Sequence, residues 1–291
     1  MKSLFKILVK YPLEFLFFIF FFTVFKILPL RMSRALGILI TTSVGPFLPI
    51  HNLLIKNLSI AFHDKDKEWI NDAANRVWKN LGYTVSEYAH MNSILKSKIE
   101  VINNEFSDDV FNENEHSVIV SGHSSNWEIP GMALRSKMNR VSAIVREPNN
   151  PLINFVVKQL RHKYSVQCYS KNRSGTRQLL NQFNKGSSIA LLADQQLSSG
   201  TKVKFFNKEM NISTLPAQIA LKAKCKIFLA WPIRTNDNNF KFEVIECIDT
   251  KDKESNEENI YKISAQISSF YQKMIAKYPE QYFWFHNRWK I

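Results

Sequence analysis

A histidine and a glutamate stand five positions apart in the run Ser121-Gly-His-Ser-Ser-Asn-Trp-Glu128. Histidine exchanges its proton near neutral pH, so His123 can serve as a general base. Glu128 could accept the ring's other N–H and fix its tautomer. The same spacing also reads as a capping box, with Ser125 as N-cap and Glu128 at the third helical position. Spacing alone leaves both readings open. Arg146 follows the apolar run 141–145, and Asp194 and Gln195 follow the run 188–193. Each is a polar side chain capable of chemistry, released where an apolar run ends. Ser124 is not part of a G-x-S-x-G elbow, which excludes a serine nucleophile of that kind. No H-x-x-x-H or H-E-x-x-H pattern sets two imidazoles on one helix face, and no metal is expected.

Position for these groups has to come from the elements around them. From residue 117 onward, β-rich runs at 117–121, 141–145, 166–169 and 188–193 alternate with helix-length stretches at 126–137, 151–163 and 175–184. That alternation predicts β-α-β units, hence an α/β fold with a mainly parallel central sheet flanked by helices. Ligands of such sheets bind outside the carboxyl ends of the strands. His123, Arg146, Asp194 and Gln195 all stand there. A strand pair at 227–235 and 240–247, a helix at 259–278 and an aromatic tail complete the pattern. Ahead of the sheet, 51–62 and 65–95 read as helices. In the second, Trp69, Ala73, Val77, Leu81, Val85 and Ala89 recur every fourth residue, a stripe suited to core packing.

Of the 291 residues, 45% are hydrophobic and 22% charged, enough apolar surface for a packed core. The eight glycines form neither G-x-G-x-x-G nor G-x-x-x-x-G-K-[ST], so glycine-cradled dinucleotide and P-loop sites are excluded. Cys168, Cys225 and Cys247 lack the spacing of a disulfide scaffold or zinc knuckle and read as small apolar residues in a reduced compartment.

Charge is less ordinary. With 39 Lys and Arg against 25 Asp and Glu, the chain carries +14 and favours anionic partners. Residues 134–185 hold eleven basic side chains and one acid, Glu147, a net +10. Residues 15–25 form an uncharged run with seven phenylalanines, flanked by Lys2, Lys6 and Lys10 before it and by Lys26, Arg31 and Arg34 after it. Extended to 8–28, it could just cross a bilayer with its ends snorkelling or lie in the interface, and the sequence leaves both open. The expected organisation is a membrane anchor over 1–31, a helical approach segment over 32–100 and a catalytic α/β domain over 101–291.

With its neighbours, the run from His123 to Glu128 resembles the H-x-x-x-x-(D/E) motif of glycerolipid-type acyltransferases, in the glutamate form of the lipid A biosynthesis (late, or secondary) acyltransferases. Further segments fit in order: Asn57-Leu-Ser-Ile-Ala-Phe62, Ile144-Val-Arg-Glu-Pro-Asn149, Asn154 and Arg161, Leu191-Leu-Ala-Asp-Gln195, Val203-Lys-Phe-Phe206 and Thr214-x-Pro-Ala217. The ending Pro279-Glu-Gln-Tyr-Phe-Trp-Phe-His-Asn-Arg-Trp-Lys290 completes the likeness over nearly the whole chain. Ser124-Ser125 replaces an aromatic–glycine pair more usual in the family, and Asn207 replaces a glycine after Phe205-Phe206.

The resemblance implies acyl transfer from a thioester to a lipid hydroxyl, with His123 as base, Glu128 as its support, and Arg146, Arg161, Asp194 and Gln195 binding substrate. On that likeness Arg146 could bind an acceptor phosphate or stabilise the oxyanion, and Asp194 could order that arginine or bind a sugar hydroxyl. A plain internal Arg–Asp pair is the alternative. It implies acyl carrier protein as donor, a phosphorylated lipid A precursor as acceptor, no bound cofactor, and the cytoplasmic side of a bacterial inner membrane. A related branch acylates mannosylated phosphatidylinositol. The competing class is a basic, membrane-tethered binding protein without activity. Nucleic acid is not an expected partner, because no helix-turn-helix, OB fold or face of interleaved bases and aromatics is identifiable.

Overall fold

The computed structural model describes residues 6–290. A π-turn over Lys6–Lys10 leads into helix α1, Tyr11–Ile27, with Pro12 in the first turn, where its missing N–H costs no helical bond. Leu28 is extended, as a residue before proline tends to be, and after Pro29 the chain enters α2, Leu30–Val44. Gly45 and Pro46 end α2. Helices α3 (Ile50–Ala61) and α4 (Lys67–Glu87) follow, the latter capped by Asp66, which accepts from the Trp69 N–H at 2.7 Å. Helices α2 and α4 cross at Gly37 and Gly82, where a Cβ on either residue would collide with the other's backbone.

Short helix α5 (Met91–Ser97), strand β1 (Ile99–Val101) and the single turn α6 (Ser107–Val110) lead into the alternating region. There β2 (Val118–Ser121), α7 (Ile129–Lys137), β3 (Val141–Val145), α8 (Pro151–Tyr164), β4 (Gln167–Ser170), α9 (Arg173–Asn184) and β5 (Ser188–Leu192) succeed one another, as the sequence pattern predicts. Asn150 and Asn172 cap α8 and α9 through the N–H groups of Leu152 and Gly175, at 3.0 and 2.8 Å. A hairpin of β6 (Thr201–Phe205) and β7 (Lys208–Ile212), then α10 (Leu215–Ala223), β8 (Ile227–Arg234), β9 (Phe240–Ile248) and α11 (Glu257–Lys277) complete the fold.

The main sheet has seven strands in the order β1-β9-β8-β2-β5-β3-β4, parallel except for the β8–β9 pair. The expected α/β architecture with a mainly parallel sheet is the one observed. Strand β2 lies at the centre and is buried on both faces. Val118 and Val120 join a core with α3, α4, α10 and α11, while Ile119 packs with Ala133, Leu134 and Phe228 on the other face. The helical approach segment therefore shares its core with the sheet. Several elements depart from expectation. The single helix expected over 65–95 is broken after Glu87 into α4 and α5, and β1, α6 and α10 are elements the pattern did not mark. The helix expected from residue 126 begins only at Ile129, leaving 126–128 in a loop. Residues 30–44 form a helix the apolar pattern did not mark. The β6–β7 hairpin turns at Phe206, φ 53°, without the Asn-Gly or Asp-Gly pair that announces such turns.

Candidate active site

Strands β2 and β5 are neighbours in parallel, with Ser121 opposite Leu192. Two residues beyond each, that register brings His123 level with Asp194. Gly122 makes the turn possible, because its α-carbon lies against the Trp231 ring and a Cβ would collide there. His123 Nδ1 and Asp194 Oδ1 are 2.6 Å apart. Asp194 is fully buried, and an ionised carboxylate can only accept, so Nδ1–H is the donor. Nε2 then carries the lone pair, and no hydrogen bond among the described residues engages it.

Asp194 is itself held from the tail. Tyr282 donates its hydroxyl to Oδ2 at 2.9 Å, and Arg288 donates to the Asp194 backbone carbonyl at 2.6 Å and lies 3.4 Å from Oδ2. Burial works to raise the Asp194 carboxyl, but His123, Arg288 and the Tyr282 hydroxyl together hold it far below the usual carboxylate range. The tail reaches this position by lying along the loop that bears His123. The Phe283 N–H donates to the His123 carbonyl at 2.8 Å and the Ser125 N–H to the Gln281 carbonyl at 2.7 Å. Asn57 fastens the tail further by donating to the carbonyls of Trp284 and His286, at 2.6 and 2.9 Å.

The hydrogen bond expected between His123 and Glu128 is not formed. Ser125 adopts φ 48° and the helix starts after Glu128, so the two residues do not share a helical face. Glu128 instead accepts from Tyr88 at 2.6 Å and from Arg161 Nη2 at 2.6 Å, with Arg161 Nε 3.1 Å from its other oxygen. The capping-box reading fails too, because Glu128 occupies the N-cap position and makes no side-chain cap. Burial opposes the Arg161 charge, yet Glu128 more than offsets it and the guanidinium is held above its ordinary value. Asp194 does not order Arg146, since its partners are His123, Tyr282 and Arg288. Arg146 is exposed and makes no hydrogen bond or ion pair among the described residues.

A cavity of about 1210 Å³ joins these groups. His123, Glu128, Arg146, Arg161 and Gln195 all line it; Asp194 stands behind His123 and does not. One wall is apolar and runs between the sheet and its helices, with Ile119, Ala143 and Ala190 on one side and Leu134 and Val157 on the other. Phe18, Phe21, Phe22 and Phe25 of α1 close over it. Lys171, Thr176, Ser213 and His286 supply polar lining. Burial and the nearby Arg288 push the His286 imidazole down to about 4, so it is neutral at pH 7. Apolar volume beside a histidine and cationic groups suits a ligand with a hydrocarbon chain and an anionic head.

Sequence reasoning reached His123, Glu128, Arg146, Arg161, Asp194 and Gln195 but not Tyr88, Tyr282 or the role of Arg288. The closing aromatic motif carried a signal for the last two. Tyr88 had none, being one residue past the end of a helix.

Comparison with known proteins agrees with the geometry. No curated protein sequence matches the chain. A solved structure, the 1-acyl-sn-glycerophosphate (LPA) acyltransferase PlsC from Thermotoga maritima, aligns over 84% of this chain and 98% of its own at 15% identity and a TM-score of 0.40. The family described as bacterial lipid A biosynthesis acyltransferase matches residues 2–291, and this chain, with its histidine at the carboxyl end of a central parallel strand, belongs to that acyltransferase family.

Proposed function

We propose that this protein transfers a fatty acyl chain from acyl carrier protein to a hydroxyl of a phosphorylated lipid A precursor, on the cytoplasmic side of a bacterial inner membrane. The observation that carries the reading is the His123–Asp194 pair at 2.6 Å, its histidine on the wall of a cavity that is both apolar and cationic. His123 Nε2 takes the proton of the acceptor hydroxyl as the oxygen attacks the thioester carbonyl carbon. Collapse of the tetrahedral intermediate forms the ester and breaks the C–S bond, and the imidazolium returns its proton to the departing thiolate. Asp194 stabilises the imidazolium between those transfers. Base assistance of this kind is worth roughly 10²–10⁴ in rate, and fixing two amphiphiles in one cavity supplies much of the rest.

Arg146 and Lys171 serve an acceptor phosphate. The Glu128–Arg161 pair braces the wall between α7 and α8. Helix α1 lies in the membrane interface and does not cross it. Lys6–Ile27 is long and apolar enough to span, but both its ends are fastened to the same body. Asn150 donates to the Tyr11 carbonyl at 2.8 Å, and Lys26 donates to the Ala89 carbonyl at 3.0 Å. Its inner phenylalanines cover the cavity, while Leu16, Phe20 and Ile27 remain exposed.

The test is purified protein with acyl carrier protein and coenzyme A thioesters as donors and lipid A precursors as acceptors, read by mass spectrometry. The expected product is heavier by one acyl chain and forms faster from the carrier protein. Thioester hydrolysis without a lipid product would overturn the reading.

A further inference from the structure

The loop that bears His123 is held from behind by one face of α4, and a buried carboxylate sits at the centre of that grip. Asn80, Thr84 and Glu87 are spaced four and three residues apart, so they share a helical face. Asn80 Nδ2 and Thr84 Oγ1 both donate to the Ser125 carbonyl, at 3.0 and 2.8 Å. Asn126 Nδ2 donates to Glu87 Oε2 at 2.9 Å, and Asn126 Oδ1 accepts the Glu128 N–H at 3.1 Å. The Asn126 side chain thus bridges the carboxylate and the loop backbone. Ser125 needs such support, because φ 48° is a left-handed conformation that a non-glycine residue keeps only when its surroundings impose it.

Glu87 is completely buried and holds two arginines besides Asn126. Arg34 Nε and Nη2 of α2 lie 2.8 and 2.7 Å from Oε1, and Arg234 donates to both oxygens from the end of β8, at 2.5 and 3.0 Å. Removing three charges from water costs several kcal/mol per ion, and an apolar cluster of the same volume would stabilise the fold as well. What an apolar cluster would not provide is a carboxylate fixed by donors from two other elements, with one oxygen aimed at the loop.

We propose that Glu87 is the positioning residue of the catalytic loop, acting through Asn126 to keep His123 level with Asp194. The inference rests on the acyl-transfer reading for its kinetic consequence but not for its structural one. Asn126→Leu cuts the link and leaves both ion pairs of Glu87 in place. Hydrogen exchange in that variant rises over residues 122–128 while α4 stays protected. A misplacement of the base by about 1 Å costs about 100-fold, so kcat falls by that order with KM unchanged. Glu87→Gln, which keeps the shape and loses the charge, gives a similar loss, and the double variant is no worse than either single one, because both act through one bond. If Glu87→Gln does not fold, Arg34→Met takes its place in the cycle.

Unchanged exchange over 122–128 in Asn126→Leu overturns the proposal, as do additive losses in kcat. The exchange measurement uses no substrate. A wild-type protein inert towards every acyl thioester would sink the functional reading and still leave this one decided.

Discussion

At the scale of single residues, the support expected for His123 from Glu128 comes instead from Asp194, while Glu128 pairs with Arg161 and Tyr88. Asp194→Asn keeps the shape but presents an amide to Nδ1, which permits the wrong tautomer; in a comparable His–Asp arrangement that change costs about 10⁴ in kcat. The expected outcome here is a loss of that order with the folded protein retained. Glu128→Gln leaves Arg161, whose side chain is 15% exposed, without its counter-charge. It should lower Tm more than it lowers kcat. Equal kcat losses for the two variants would return Glu128 to the proton-transfer chemistry. His286 gives a pH test. Its folded value of about 4 lies below the ordinary 6.5, so between those values the unfolded chain binds more protons. Stability from this group is present above pH 6.5 and is lost as pH falls towards 4. The Tm of wild type should decline over that window, and that of His286→Gln should decline less. The sequence held all of these residues, yet it hid the pairing. His123 and Glu128 are neighbours in the chain, whereas His123 and Asp194 meet only because β2 lies beside β5 with Ser121 opposite Leu192. No local pattern encodes strand order.

Among the elements, the alternating run over 117–193, the strand pair that follows later and the long helix after it were legible because apolar runs and capping residues agree there. Asn150 and Asn172, for instance, both cap a helix the pattern predicts. The β6–β7 hairpin and α10 were not legible. Helix α2 was less visible: its interior holds Gly37 for a close crossing with α4, and its outer face carries the apolar Met32 and Leu39, so no polar face sets off a buried stripe. Helix α1 was legible as an apolar segment but not in its second role, since nothing in a run of phenylalanines says that one side closes a cavity. That role makes its topology testable. With both ends fastened to the catalytic body, residue 6 and the basic face should lie on the same side of the membrane. A cysteine placed at Lys6 should react with an impermeant reagent from the side on which Lys158 also reacts. Labelling from the opposite side would mean that α1 crosses. Phe21→Asp, which puts a charge in the cavity wall, should reduce acyl transfer without releasing the protein from membranes, whereas Phe20→Asp on the exposed face should weaken membrane retention first.

For the molecule as a whole, the proposed function gives the excess of positive charge two purposes that salt can separate. Lys158 and Lys163 are exposed on α8 and do not line the cavity, so under the proposed function they would act at a distance, steering an acidic carrier protein. Lys171 belongs with Arg146 instead, because it follows directly on β4 and lines the cavity. Charge reversal of Lys158 and Lys163 to Glu should lower kcat/KM for the carrier-protein donor, with the deficit shrinking as salt rises. The Debye length falls from about 10 Å at 0.1 M to about 3 Å at 1 M, and a field acting across solvent is screened accordingly. Arg146→Ala should behave differently, because a guanidinium bound to a phosphate within a cavity works through direct hydrogen bonds that mobile ions screen poorly. Its loss should persist at every ionic strength and appear with coenzyme A and carrier-protein donors alike. An ionic-strength series of kcat/KM for both variants, with both donors, decides the matter. Parallel salt dependences would place Arg146 on the steering surface, and the phosphate would then need another partner, with Lys171 next in line along the same wall.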